Sequence, residues 1–82
     1  MKYYVGVENV QNRVEIDVAY KGEGAKKIYD GANKILEKYP IEIIDGDRIL
    51  ERYKVVKSLD CKKIEDQDML EKIIKELNSL FP

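Results

Sequence analysis

Residues 13–39 read RVEIDVAYKGEGAKKIYDGANKILEKY, and the spacing of the apolar residues changes in the middle of this stretch. In the first part every second residue is apolar or aromatic, which predicts a strand over 13–20 with one face in water. In the second part the apolar residues recur every three or four positions, which predicts a helix over about 25–39. Pro40 disfavours helical geometry at the residue before it and ends this helix.

The same two periodicities predict the remaining elements. These are strands at 2–8, 41–44 and 48–58, a hairpin loop at 9–12, a connection at 59–63 and a final helix that Asp66 caps. The order ββαββα, with each helix apolar on one side, predicts an α+β two-layer sandwich. We expect a four-stranded, mostly antiparallel sheet with the two helices on one face. The buried stripe of the final helix comprises Leu70, Ile73, Ile74, Leu77, Leu80 and Phe81.

The composition restricts the function classes. The chain has 82 residues with 15 basic and 16 acidic side chains, so the net charge is −1. This length predicts a single domain over 1–82, and the balanced charge disfavours a dedicated nucleic-acid binder. With no His and one Cys, a His-based catalytic pair, a His-ligated metal and a thiolate zinc site are excluded. We therefore expect no enzyme, no catalytic residues, no metal and no cofactor. The absence of an export signal and of a membrane-spanning apolar run predicts a cytoplasmic protein.

The glycine-rich turn before the first helix is a candidate anion site. Gly22 and Gly24 allow a ligand to approach the backbone, while Lys26 and Lys27 add positive charge at a helix N-terminus. The spacing does not match a Walker loop, and Glu23 repels anions. A plain connection between strand and helix explains the same residues, and we favour that interpretation.

Two further features have simple structural explanations. The turn Asp45-Gly46-Asp47, with Glu42 nearby, offers carboxylates for Mg²⁺, but these residues also have the ordinary chemistry of a tight turn. Cys61 follows Asp60 and precedes two lysines, which lower a thiol pKa when they form a pocket around it. We favour the turn for the first and an incidental thiol in a loop for the second.

The predicted strand at 48–58 is the main candidate interaction segment. It carries basic and aromatic residues, and Tyr4 adds an aromatic side chain to the sheet. The candidate interaction residues are Tyr4, Arg48, Arg52, Tyr53, Lys54, Val55 and Lys57. Such a strand suits a protein partner or a phosphate backbone, but lysines also keep an edge strand from aggregating.

We therefore expect a small non-catalytic interaction module that binds a protein partner, which is either a different protein or a second copy in a homodimer. The alternative is a protein that binds a small anion or a nucleotide at the glycine turn. Nucleic-acid binding through the strand at 48–58 is a weaker alternative, and no membrane partner is expected.

Overall fold

The computed structural model describes residues 2–46 and 55–81, and it confirms the predicted element order and architecture. The four strands form one antiparallel sheet in the order β1-β2-β4-β3, and the two helices pack against it. The elements are β1 (Lys2–Val10), β2 (Arg13–Lys21), α1 (Ala25–Glu37), β3 (Ile43–Asp45), β4 (Val55–Lys62) and α2 (Gln67–Asn78).

A single core lies between the sheet and the helices. Strand β2 supplies its centre, because Val14, Ile16 and Val18 are fully buried. Alternate residues of a strand point to opposite faces, so these three side chains share one face while their polar neighbours lie on the other. The other buried apolar residues include Leu59 and Cys61 from β4, Ala32 and Leu36 from α1, and Leu70, Ile73 and Leu77 from α2.

Strand β4 ends later than the sequence pattern predicts. The expected connection at 59–63 is mostly strand, since β4 runs to Lys62. The register places Leu59 opposite Ile16 and Cys61 opposite Val14, so both side chains enter the core. The prediction that Cys61 lies in a loop is therefore wrong, because this residue is a buried core residue of a strand.

The short strand and the first hairpin also differ in detail. Strand β3 begins at Ile43 and includes Asp45, so part of the predicted turn at 45–47 is strand. In the hairpin, Gln11 adopts the left-handed conformation with φ 58°, although the asparagines on either side tolerate it better. The two-residue turn that joins Val10 to Arg13 decides which residue takes this geometry.

The ends of the helices follow local rules that the sequence reveals. The carboxylate of Asp66 accepts a hydrogen bond from the backbone N–H of Met69 at 3.1 Å, which confirms the predicted N-cap of α2. Within α1, an ideal Cβ at Gly31 would lie 2.7 Å from Cδ2 of Leu80. The missing side chain therefore admits the tip of a leucine that lies two residues after α2. Neither helix of the described part is long and apolar enough to cross a bilayer.

Two adjacent isoleucines of α2 should differ in their contribution to stability. Ile73 is fully buried, whereas Ile74 is only partly buried at the edge of the core. We expect Ile73→Ala to reduce the free energy of unfolding by about 2–5 kcal/mol. Ile74→Ala should cost roughly half of that or less, because it returns less buried apolar area to water. Urea titration of both variants measures the difference, and equal losses would show that the core is assigned incorrectly.

Candidate interaction surfaces

The sheet face that turns away from the helices carries a row of carboxylates. The register places Glu8 of β1 opposite Glu15 of β2, Glu15 opposite Asp60 of β4, and Asp60 opposite Asp45 of β3. Directly paired residues of a regular antiparallel ladder share a face, so this acidic row crosses β1, β2 and β4, whereas the register of β3 shifts between Ile43 and Asp45. We call this surface the open face.

Two polar side chains, Arg13 and Ser58, bind carboxylates on the open face. The guanidinium of Arg13 lies 3.3 Å from the carboxylate of Glu15 and 3.7 Å from that of Asp60. In the next row, the hydroxyl of the fully buried Ser58 donates a hydrogen bond to Asp17 at 2.5 Å. Arg13 thus offsets the charge in the middle of the acidic row. At the end of the row, Glu8 makes no ion pair with any residue that the structure describes.

Tyr4, one of the predicted interaction residues, lies on the open face and is 42% exposed. Its ring lies along the strand over Gly6, since an ideal Cβ at Gly6 would be 2.7 Å from Cζ of Tyr4. The glycine therefore makes room for the tyrosine ring two residues earlier. Tyr3 points to the other face, where it stacks on Phe81 with ring centroids 4.2 Å apart, and it is 39% exposed.

The two edges of the sheet are not equivalent. Strand β3 has three residues and its pairing with β4 is irregular, whereas β1 has nine residues in unbroken register with β2. Apart from β2, no described segment makes a backbone hydrogen bond with β1. A long regular edge strand exposes a row of unpaired backbone groups that another strand is able to bind. Sequence reasoning missed this surface, although the run 3–7 is free of charge and of proline.

Hairpin geometry identifies the backbone groups that β1 leaves open. The pair Val10–Arg13 closes a two-residue turn, a position where the paired residues bond to each other. Hydrogen-bonded and non-hydrogen-bonded pairs alternate along an antiparallel ladder, so the backbone groups of Gly6 and Glu8 form hydrogen bonds with β2. The N–H and C=O groups of the intervening residues lie in the plane of the sheet and point away from β2, toward the outer edge. These outward-facing residues are Tyr3, Val5, Val7 and Asn9.

The predicted anion site is brought together only in part. Gly24, Lys26 and Lys27 line a groove of about 690 Å³ along α1, which Lys34 also lines. The ammonium of Lys26 is bound to Asp30 at 2.9 Å, and this hydrogen bond and charge raise the pKa of Lys26. Gly22 does not line the groove. An ideal Cβ there would lie 2.8 Å from Cζ of Tyr20, so a tyrosine ring covers this glycine.

The structure describes two of the three acidic residues that are candidates for Mg²⁺. The carboxylate of Glu42 binds the ammonium of Lys62 at 2.7 Å, and this hydrogen bond and charge lower the pKa of Glu42. Asp45 lies in β3, and Asp47 is outside the described residues. Within 2–46 and 55–81, no group of three or more Asp, Glu, Cys or His side chains is arranged to hold a metal ion.

Most of the predicted basic interaction strand lies outside the described part of the chain. This applies to Arg48, Arg52, Tyr53 and Lys54. Val55 and Lys57 belong to β4, where their backbone pairs with β2. At Asp60 and Cys61 the same strand also pairs with β3, so this part of β4 is internal.

A polar cluster joins the two helices. The carboxylate of Glu76 in α2 accepts hydrogen bonds from the ammonium of Lys38 and from the hydroxyl of Tyr39, which directly follow α1. These two hydrogen bonds, with the charges of Lys38 and Lys72, lower the pKa of Glu76. The bond from Tyr39 to Glu76 raises the pKa of the tyrosine. The cluster fixes the end of α1 against the last turn of α2.

The cluster at Glu76 predicts a pH dependence of stability. A carboxyl whose pKa is lower in the folded state stabilises the protein above the unfolded pKa, and this effect is lost as the pH falls through the folded pKa. We expect Glu76→Gln to be less stable than wild type at neutral pH. The difference should shrink below pH 4.5, the ordinary pKa of this side chain, and disappear in stronger acid. Urea titrations across this range measure it, with Glu71→Gln on the same helix as the control.

Comparison of the chain with models of protein families, with curated proteins and with solved structures found no match.

Proposed function

We propose that the protein is a small non-catalytic interaction module that binds an extended segment of a protein partner along the outer edge of β1. One observation carries this proposal, namely that β1 is a nine-residue edge strand in unbroken register whose outer side binds no other described strand. An added strand would form main-chain hydrogen bonds with the outward-facing residues of β1.

The side chains of β1 support the same proposal. Tyr3 and Tyr4 are exposed on opposite faces of the strand, and tyrosine is enriched in protein interfaces because it combines apolar area with a polar tip. The run 3–7 has neither proline nor lysine, which natural edge strands use to prevent pairing. The strand is therefore suited to recognition by another chain.

The charge distribution of the sheet favours a protein partner over nucleic acid. The open face presents the carboxylates of the acidic row, and these would repel a phosphate backbone that approached this face. We retain a cytoplasmic location as part of the proposal, since a single free cysteine suits a reducing compartment.

Blocking the β1 edge should remove binding. Val7→Pro takes away an outward-pointing N–H without breaking a bond to β2, because proline is tolerated on the solvent side of an edge strand. Val7→Thr is the matched control, since threonine keeps both the N–H and the branched shape. We expect cross-linked partners captured by the wild-type protein to map to β1, to disappear with Val7→Pro and to persist with Val7→Thr.

The proposal is wrong if capture is unaffected by Val7→Pro, or if the cross-links map to the helices. It is also wrong if the protein captures nothing and remains monomeric at high concentration. Circular dichroism of each variant establishes that the fold is intact. If Val7→Pro does not fold, Asn9→Pro blocks an outward-facing residue closer to the turn.

The groove along α1 favours a second candidate function, the binding of a small anion. Three lysines line this groove beside Gly24, which caps the helix without a side-chain hydrogen bond. If this function is correct, inorganic phosphate or a nucleotide should raise the melting temperature. Lys26→Ala combined with Lys27→Ala should abolish the rise. No shift with phosphate or with a panel of nucleotides would remove this candidate.

A further inference from the structure

We propose that the partner strand at the β1 edge is β1 of a second copy, paired antiparallel about Val5, so that the two sheets join into one. This inference rests on the proposed function, since it names the occupant of the same edge. It follows from the register that the exposed backbone groups permit and from the charges on the strand.

The backbone restricts the possible registers. Tyr3, Val5, Val7 and Asn9 are the residues whose N–H and C=O groups point outward, so hydrogen-bonded pairs across the new junction must join two of these. In a symmetric antiparallel pair, this allows the two-fold axis to lie at an outward-facing residue or midway between two neighbouring ones. The register of the dimer is therefore one of a few, and the side chains select among them.

The register centred on Val5 is the one that matches the side chains. It places Tyr3 opposite Val7 of the second copy and Tyr4 opposite Gly6 of the second copy. It also places residue 2 opposite residue 8, and the sequence has a lysine at the first position and a glutamate at the second. The pair of Tyr4 with Gly6 and the pair of residue 2 with residue 8 are non-hydrogen-bonded pairs, in which the side chains of opposite strands lie closest. Moving the axis to a neighbouring allowed position separates the opposite charges.

The charges on the sheet add to this match. Glu8 ends the acidic row at the β1 edge without an ion pair to any described residue, whereas Arg13 binds Glu15 and Asp60 further along the row. At the other end of β1, the backbone of Lys2 pairs in register with Lys21. Pairing two copies about Val5 places Lys2 of the second copy opposite Glu8, at the end of the acidic row. By symmetry, Glu8 of the second copy lies opposite Lys2.

The opposite edge of the sheet is less suited to the same contact. Strand β3 has three residues, its register with β4 shifts between Ile43 and Asp45, and Asp45 adds a negative charge. Short, irregular and charged edges resist pairing. A two-fold axis perpendicular to the sheet at β1 would also leave the helices of both copies on the same side of the joined sheet. Tyr3, stacked on Phe81, would then lie beside Val7 of the second copy.

Charge reversal tests this register. Either Glu8→Lys or Lys2→Glu places like charges opposite each other twice in a symmetric dimer. Because a symmetric dimer loses two exposed ion pairs, we expect each variant to dimerise on the order of tenfold more weakly. An equimolar mixture of the two variants should form a heterodimer, since each lysine then faces a glutamate. The double variant should regain the wild-type dissociation constant. Sedimentation equilibrium from micromolar to millimolar protein at low salt measures these constants, and native mass spectrometry identifies the heterodimer.

A matched control separates register from net charge. Glu71→Lys changes the net charge by the same amount on the exposed side of α2, so it should leave dimerisation unchanged. A dimer that Glu8→Lys and Glu71→Lys weaken equally would overturn the proposal, as would a dimer that the mixture of variants does not restore. Thermal melts of all variants confirm that the monomer remains folded.

Amide hydrogen exchange gives a second readout that does not depend on substitutions. The amides of Val5 and Val7 should become slower to exchange as the protein concentration rises, while the exposed turn at Gln11 should not change. A protein that is monomeric at millimolar concentration overturns the self-pairing. If a different protein then cross-links to β1 and is lost with Val7→Pro, the proposed function stands while this inference fails. If no protein binds β1 either, both fail.

Discussion

The structure depends on strand β2, whose apolar face is the centre of the only core among the described residues. This strand bonds to β1 on one side and to β4 on the other, so its register determines the position of both neighbours. Val14, Ile16 and Val18 are fully buried, and a slip by one residue would exchange them with the acidic residues between them. The burial of these three side chains therefore makes the pairing of the sheet specific. A domain of this size has little buried surface to spare, so the loss of one such contact has a large relative effect.

The same alternation that builds the core also builds the open face. Each buried residue of β2 is followed by a residue of the other face, which is why Glu15 and Asp17 lie side by side on the sheet surface. Register then aligns acidic residues from β1, β2 and β4, although Asp60 lies far from the other two in the sequence. Arg13 binds Glu15 and Asp60, and Ser58 binds Asp17, whereas the acidic row ends at the edge of β1 without such a contact to any described residue.

The edge of β1 and the groove along α1 illustrate different kinds of candidate site. The groove depends on exposed lysines, one of which is already bound to Asp30, so a ligand would compete with an existing ion pair. The edge presents backbone N–H and C=O groups, and a strand of another chain forms hydrogen bonds with them by extending the sheet. This difference is the reason for preferring a protein partner as the function. The polar cluster at Glu76, by contrast, has a structural role, because it joins the two helices away from both surfaces.

The sequence by itself determined the element order, the two-layer architecture and the N-cap at Asp66, because these follow from local periodicity and from contacts within a few residues. Local pattern did not reveal that Leu59 and Cys61 belong to a strand, since their burial depends on pairing with β2 some 45 residues earlier in the chain. It also missed the β1 edge. A strand is an edge only by virtue of where the other strands lie, and the order β1-β2-β4-β3 is decided by tertiary packing. Interactions between residues that are close in sequence form wherever those residues occur, so a local pattern reveals them. Pairing across the sheet exists only once the chain has folded.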